Sequence, residues 1–165
     1  MRILGIDPGL AIVGYGVVDK VGNAYKTIDY NAITTMAHTP IENRIKIIYD
    51  EISLLLEKLK PDALSIEELF FNNNSKTAIA VGQARGVVLL AAVEHNVPIY
   101  EYTPLQVKQA LTGYGRASKT QIQQMMKNIL ALSEIPKPAD VADALAIAVC
   151  HGNSMRFNSI LNYGG

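Results

Sequence analysis

The chain has 165 residues, with 15 basic and 15 acidic side chains and hydrophobic residues at 49% of positions. This length suits one folded domain with a sizeable core, and the composition excludes a disordered chain. The single cysteine, Cys150, excludes an internal disulfide framework. No apolar run approaches the ~20 residues that a membrane span needs. We therefore expect a cytoplasmic protein with no membrane association, one domain over residues 1–153, and a polar, flexible tail over 154–165.

The first half of the chain predicts three antiparallel strands, a helix and a parallel strand. The apolar run 3–6 is typical of a buried strand, which a proline–glycine turn ends. Two alternating segments, 12–19 and 24–34, continue it as a meander. Apolar residues then recur at helical spacing over 41–59, and 63–67 follows as a short buried strand. A strand, a crossover helix and a strand in succession place the last strand parallel to the first.

The second half of the chain predicts mostly helices. One helix covers about 76–95, and a short strand follows at 97–102. Three further helices begin at Pro104, after Ser118 and at Asp140, where proline and serine are typical of helix starts. The predicted fold class is α/β, a mixed five-stranded sheet of three antiparallel and two parallel strands with helices on both faces.

Small residues mark one strip of the helix at 76–95. Ala78, Gly82 and Gly86 recur four residues apart, which leaves the strip without bulk. Such a strip lets another helix approach closely. Packing against the sheet of the same chain and pairing with the same helix of a second copy are both compatible with it.

Four carboxylates lie where the predicted fold could bring them together. Asp7 ends the first strand and Glu67 ends the fourth, which is its predicted neighbour. Asp140 and Asp143 are three residues apart on a helix and face the same way. Two unit charges 4 Å apart repel by about 4 kcal/mol at an effective dielectric constant of 20. Such a cluster favours a divalent cation, and oxygen ligands select Mg²⁺ or Mn²⁺ over zinc.

Each of these acids also has an ordinary structural interpretation. Asp7 opens an Asp-Pro-Gly sequence, which is common turn chemistry. Asp140 near a helix start could serve as a cap or a partner of the helix dipole. Asp143 is harder to explain in this way, because the helix around it is almost wholly apolar. If the four acids do share one site, two divalent ions there would suit phosphodiester hydrolysis.

Basic residues flank the acids in segments that carry no acidic residue. Between Glu101 and Glu134 and between Glu68 and Glu94 the chain has no aspartate or glutamate. The basic residues of these segments predicted to contact DNA are Lys76, Arg85, Lys108, Arg116 and Lys119. Cations beside an acidic cluster suit a nuclease, in which they bind the phosphate backbone. A solvated helix face is the alternative for any one of them.

Several short motifs occur in the order and spacing of a known family. They are residues 3–9 (ILGIDPG), 14–16 (GYG), Glu67 with Phe70, 82–86 (GQARG), 106–108 (QVK), Lys119, and 140–146 (DVADALA). Through them the chain resembles the RuvC family of Holliday-junction resolvases over nearly its whole length.

The resemblance implies an RNase H-like fold, a homodimer, and Mg²⁺-dependent cleavage of four-way DNA junctions by paired symmetric nicks in recombination and repair. It also implies a branch-migration motor as a partner. Its catalytic and metal-binding acids correspond to Asp7, Glu67, Asp140 and Asp143. Phe70 is similar to the family's aromatic residue at the junction centre, where stacking on a base contributes ~1–3 kcal/mol.

Three rival functions compete with this one. A related nuclease acting on RNA would share the strand, the turn and the acids. An actin-like or sugar-kinase-like phosphate binder would need a second, duplicated domain, for which 165 residues leave no room. A DNA-binding module without activity would leave four acids with nothing to offset their repulsion.

Overall fold

The computed structural model describes residues 1–69 and 75–161, and for residues 75, 76 and 156–161 it describes the backbone alone. The described residues form five strands and five helices. In chain order these are β1 (Arg2–Asp7), β2 (Ile12–Val21), β3 (Ala24–Thr34), α1 (Ile41–Leu59), β4 (Ala63–Glu67), α2 (Ser75–Glu94), β5 (Ile99–Tyr102), α3 (Pro104–Thr112), α4 (Lys119–Ile129) and α5 (Ala139–Leu161).

The strands form one mixed sheet in the order β3-β2-β1-β4-β5. β1, β2 and β3 pair antiparallel, whereas β4 is parallel to β1 and β5 is parallel to β4. This confirms the predicted fold class, including the meander and the parallel crossover. The crossover rule succeeds because α1 is long enough to return the chain across the sheet before β4 begins.

Alternating side chains of β1 face two separate hydrophobic layers. Leu4 and Ile6 pack in the layer that contains α1 and α2. Ile3 packs in the layer that contains α3, α4 and α5. Because successive strand residues point to opposite faces, Gly5 and Asp7 share the face of Ile3, on which α5 lies.

Glycines let α5 lie unusually close to the sheet. A Cβ atom at Gly5 would overlap the main-chain oxygen of Ala144, and one at Gly14 would overlap the main-chain oxygen of Asp140. Gly14 on β2 is the register partner of Asp7 on β1. The absence of side chains at these two positions therefore brings the N-terminal turns of α5 down onto the end of β1.

Capping boxes begin α3 and α4 at the predicted residues. The hydroxyl groups of Thr103 and Ser118 accept hydrogen bonds from the main chain of Gln106 and Gln121, and both glutamine side chains bond back to the capping residue. These reciprocal bonds satisfy amide groups that a helix start otherwise leaves unpaired. The cap at Ser118 makes Lys119 the first residue of α4, so its main chain is well anchored.

Two expectations about the chain's surface need correction. Helix α5 continues to Leu161, so the segment that was expected to be a flexible tail from residue 154 is helical as far as that residue. The segment Thr77–Glu94 of α2 has the length and composition of a membrane span, contrary to the expectation that no such run exists, and 22% of it is buried. Arg85 lies within this segment and pairs with Glu101 of β5, and α2 packs along α1.

Candidate active site

The ends of β1 and β4 bring Asp7 and Glu67 side by side. The parallel register pairs Ile6 with Ile66, so the two acids that follow end adjacent strands. Neighbouring strands lie about 4.8 Å apart. Ile6 and Ile66 directly precede the two acids and pack in the opposite layer. Because successive strand residues point to opposite faces, both acids point to the sheet face that α5 covers.

The first turns of α5 bring Asp140 and Asp143 to the same sheet edge. The carboxyl group of Asp7 interacts electrostatically with Asp143, Glu67 and Asp140. Burial, followed by these like charges, raises the pKa of Asp7 to about 8. Burial and the charge of Asp143 also raise the pKa of Glu67. The four predicted acids thus form one electrostatically coupled group around Asp7.

A lysine from another element offsets part of this negative charge. The Nζ atom of Lys119 lies 2.8 Å from Oδ2 of Asp143, and this hydrogen bond raises the pKa of Lys119. Sequence reasoning assigned Lys119 to the family motifs and to the predicted DNA contacts, but it did not predict the ion pair with Asp143. In the part of the chain that the structure describes, no three carboxylate, imidazole or thiol groups converge as a ready-made metal site.

A groove of about 230 Å³ opens beside the acids between α3, α4 and α5. Glu67, Asp143, Lys108 and Lys119 supply its charged groups, and the remainder of the wall is apolar. Lys108 is close enough to Glu67 to lower the pKa of that acid, against the larger effect of burial. Two of the predicted DNA-contacting lysines therefore lie at the acid cluster.

A second groove, of about 510 Å³, adjoins the cluster at Asp140. The turn between β1 and β2 forms one wall and the first turns of α2 form another, and Arg44 of α1 supplies its positive charge. Sequence reasoning placed Arg44 only among the polar positions of an amphipathic helix. No sequence signal distinguishes it from the other charged residues of that helix.

The remaining predicted DNA-contacting residues have different surroundings. Arg85 is committed to an ion pair of 2.7 Å with Glu101, and its side chain is only 13% exposed. Arg116 is exposed in the connection between α3 and α4. Lys76 lies in α2, where only its backbone is described, and Phe70 lies outside the described residues. The charge of Arg85 therefore already has a partner inside the chain.

This fold and its acid cluster define the class of RNase H-like nucleases. The family model of the crossover junction endodeoxyribonuclease RuvC matches the chain over residues 3–151. A crossover junction endodeoxyribonuclease RuvC of Ruminiclostridium cellulolyticum is 59% identical over 98% of this chain and 97% of its own length. One of Halothermothrix orenii is 59% identical over 96% of each chain. The structure of Thermus thermophilus RuvC in complex with a Holliday junction substrate matches with a TM-score of 0.92 and 40% identity over 96% of each chain.

The chain belongs to the RuvC family of crossover junction endodeoxyribonucleases. It is therefore an endonuclease that resolves Holliday junctions in DNA recombination and repair, as the sequence motifs predict. Most of these motifs lie at the ends of β1 and β4 or where α5 packs against glycines of the sheet, so they contain the acids and the residues that bring the acids together.

Proposed function

We propose that the chain cleaves four-way DNA junctions by Mg²⁺-dependent hydrolysis, with Asp7, Glu67, Asp140 and Asp143 as the metal-binding catalytic acids. The observation that carries the proposal is the half-buried carboxyl group of Asp7, which is coupled to the three other acids. The family is one of metal-dependent nucleases. Mn²⁺ is the expected substitute, because it shares the preference of Mg²⁺ for oxygen ligands.

The chemistry of the four acids fits a pair of hard divalent cations. All are oxygen donors, and the burial and mutual repulsion that raise the pKa of Asp7 are relieved by positive charge. Bound ions would supply charge for the scissile phosphate and acidify a water nucleophile. Lys119 holds Asp143 by a side chain that is 61% exposed, so an ion competes with a solvated ammonium group for that acid. Such an exposed pair contributes little stability and is readily exchanged.

In this proposal Lys108 and Lys119 bind the phosphate backbone of the DNA. Both line the groove that Glu67 and Asp143 border, so a strand there meets cations within reach of the acids. Charge-assisted contacts to phosphate oxygens position a strand without selecting its sequence.

A homodimer is the proposed assembly, and α2 is its proposed contact. Ile79, Leu90 and Val93 are 64%, 51% and 63% exposed, and they share a helical stripe with Gly86. A Cβ atom at Gly86 would meet no described atom within 4 Å, whereas one at Gly82 would lie 3.9 Å from the side chain of Leu69, so the open space is at Gly86. A two-fold dimer presents two equivalent sites, which two symmetric nicks require. The family further supports a branch-migration motor as a partner and a cytoplasmic location.

One domain over residues 1–153 is the proposed organisation. The two hydrophobic layers share the sheet as their common wall, and α5 contacts all five of its strands, β1 and β2 most extensively. No boundary separates the acids, since β1, β4 and α5 belong to the same sheet-and-helix core. The acid cluster therefore forms only when this whole unit folds.

The decisive experiment is strand cleavage of a synthetic four-way junction in Mg²⁺ and in EDTA, with linear duplex and RNA–DNA hybrid as control substrates. Paired symmetric nicks in the junction alone, and only with metal, are expected. Asp7→Asn should abolish cleavage and retain junction binding, whereas Glu134→Gln, an exposed acid away from the cluster, should cleave normally. Cleavage in EDTA would overturn the proposed metal dependence, and an active Asp7→Asn variant would overturn the catalytic role assigned to the acids.

A further inference from the structure

Arg44 is the one described cation in the groove beside Asp140. Its Nε atom donates a hydrogen bond of 2.7 Å to the hydroxyl oxygen of Thr35. Arg44 has no ion pair within the described residues, and that bond is the only hydrogen bond its side chain makes there. The terminal nitrogens of its guanidinium group are therefore oriented by the protein but uncommitted.

Thr35 is built into the turn whose backbone forms a wall of the same groove. Its side chain is buried, with 8% of the residue exposed, and its hydroxyl group donates a hydrogen bond of 2.5 Å to the main-chain oxygen of Leu10. Its main-chain amide donates a bond of 3.0 Å to the oxygen of Ala11. Thr35 thus links Arg44 to the β1–β2 turn, which directly follows Asp7.

The chemistry of the groove suits a sugar–phosphate chain. Its volume of about 510 Å³ is far larger than a single ion needs, and apart from Arg44 and Asp140 its lining residues carry no charge. A guanidinium group with its Nε already bonded still presents two nitrogens in a planar fork, which matches phosphate oxygens. Asp140 connects this groove to the acids, so a strand that crosses them can extend into it.

We propose that Arg44, held in place by Thr35, binds a backbone phosphate of the DNA strand that crosses the acid cluster. Arg44 is the phosphate contact, and Thr35 is a positioning residue that acts through it. This inference rests on the acid cluster being the cleavage site. It extends the DNA-binding surface from the groove of Lys108 and Lys119 to a second groove on the Asp140 side.

The test measures binding of a labelled four-way junction in EDTA over a range of salt concentrations, and single-turnover cleavage in Mg²⁺. Arg44→Ala should weaken binding about tenfold. The slope of log binding constant against log salt should decrease by about one, because one fewer phosphate is neutralised. The loss should be equal for junctions of different sequence, since a phosphate contact does not read bases.

Lys46→Ala is the matched control, because it removes one positive charge from the same helix. Lys46 is exposed and already paired with Asp50 at 2.5 Å, so binding should stay within about twofold of the wild type. An equal loss in this control would overturn the specific contact in favour of a general charge effect. An Arg44→Ala variant with wild-type affinity and salt slope would overturn it outright.

Variants of Thr35 and a conservative change of Arg44 test the positioning without deleting charge. Thr35→Val should weaken binding in the wild-type background and have no further effect in Arg44→Ala, and Thr35→Ser should restore binding. Arg44→Lys keeps the charge and should bind between the wild type and Arg44→Ala. If Arg44→Ala fails to fold, as its thermal melt would show, these variants decide the question. Thr35→Val with unchanged binding would then overturn the proposal.

The same experiment separates this inference from the proposed function. A wild-type protein that does not cut the junction in Mg²⁺ refutes the proposed function before any variant is compared. A wild type that cuts it, with an Arg44→Ala variant that is equal in binding and cleavage, refutes only the role of Arg44.

Discussion

Folding makes ionisation of the Asp7 carboxyl group unfavourable. Its pKa is raised to about 8 in the folded chain by burial and by three neighbouring carboxylates. In the unfolded chain an aspartate titrates near 4. The ionised form of Asp7 therefore destabilises the metal-free folded state. This destabilisation is absent below about pH 4, grows as the pH rises, and is complete above about pH 8.

Replacing Asp7 with asparagine should stabilise the metal-free protein. The neutral amide removes the central charge of the cluster, so at pH 8.5 in EDTA the melting temperature should rise by about 5 °C. The gain should shrink as the pH is lowered toward 4, where wild-type Asp7 is protonated. Thermal melts of Asp7→Asn and of the control Glu134→Gln across this pH range measure the effect. A melting temperature at or below that of the wild type at pH 8.5 would contradict the repulsion.

His151 is a buried titratable group away from the acids. Its side chain has no exposure, its Nδ1 atom lies 2.6 Å from the hydroxyl group of Tyr102, and the ring of Tyr100 is 4.2 Å away between centroids. Its Nε2 atom has no hydrogen-bond partner among the described residues. Burial, with a smaller effect from the charge of Lys20, lowers the pKa of His151 to about 4.

This histidine should destabilise the fold in mild acid. The unfolded chain binds the proton near pH 6.5 and the folded chain only near pH 4, so stability is lost as the pH falls between these values. Between pH 7 and pH 5 the loss from His151 is about 2 kcal/mol. Urea unfolding of the wild type and of His151→Gln at pH 7 and pH 5 isolates the contribution of His151, because the acids contribute equally to both proteins. An unchanged pH dependence in the variant would show that folding does not lower the pKa of the imidazole.

Helix α5 is the element that joins the core to the chemistry. It contacts β1 and β2 through glycines, and the same turns carry Asp140 and Asp143. The packing of this helix therefore sets the distance of two acids from the ends of the strands. Changes far from any charged atom can act on the site through it.

Gly5→Ala tests this coupling. The added methyl group would overlap the main-chain oxygen of Ala144 and lie 2.9 Å from Cβ of Ala148, so α5 must move outward. We expect the free energy of unfolding to fall by about 3 kcal/mol and cleavage to fall with it. Gly86→Ala is the control for the folding of the chain alone, because the added atom meets nothing within the chain and alanine favours a helix by up to about 1 kcal/mol. Urea unfolding of both variants and junction cleavage by Gly5→Ala measure the two effects, and a fully stable Gly5→Ala protein would contradict the close packing.

The whole molecule presents the apolar stripe of α2 on one surface, and the proposed dimer explains it. Exposed apolar patches of this kind on soluble proteins mark contacts with other proteins. The interpretation as a membrane span is weaker, because Arg85 of this helix is paired with Glu101 of the sheet. Two copies that meet through α2 would each retain an accessible acid cluster.

Gly86→Glu should break the proposed dimer and leave each chain folded. The position has open space in the folded chain, so the carboxylate disturbs only a contact with a second copy. Sedimentation should show a shift from dimer to monomer, and junction cleavage should lose its paired nicks. Gln124→Glu, an exposed change on α4, should leave both unchanged. A dimeric Gly86→Glu protein would place the contact elsewhere.

Local patterns in the sequence were enough to predict the strands, the helices and their order. Alternation in β2 and β3, the helical spacing of α1 and the capping residues Thr103 and Ser118 each depend on residues only a few positions apart. The register of Asp7 beside Glu67 also followed, because a parallel crossover brings the ends of the two strands to one edge. The extension of α5 beyond His151 to Leu161 was not predicted, because polar residues there are equally compatible with a solvated helix and with an irregular tail.

Only the tertiary structure decided which partners the basic side chains have. Lys119 reaches Asp143, Arg85 reaches Glu101, and Arg44 is held by Thr35 beside Asp140, although none of these partners are sequence neighbours. The burial of His151 between β5 and α5 was equally hidden. Electrostatic energy and burial depend on distances through space, which the sheet and the packing of α5 set, whereas secondary structure depends largely on spacing along the chain.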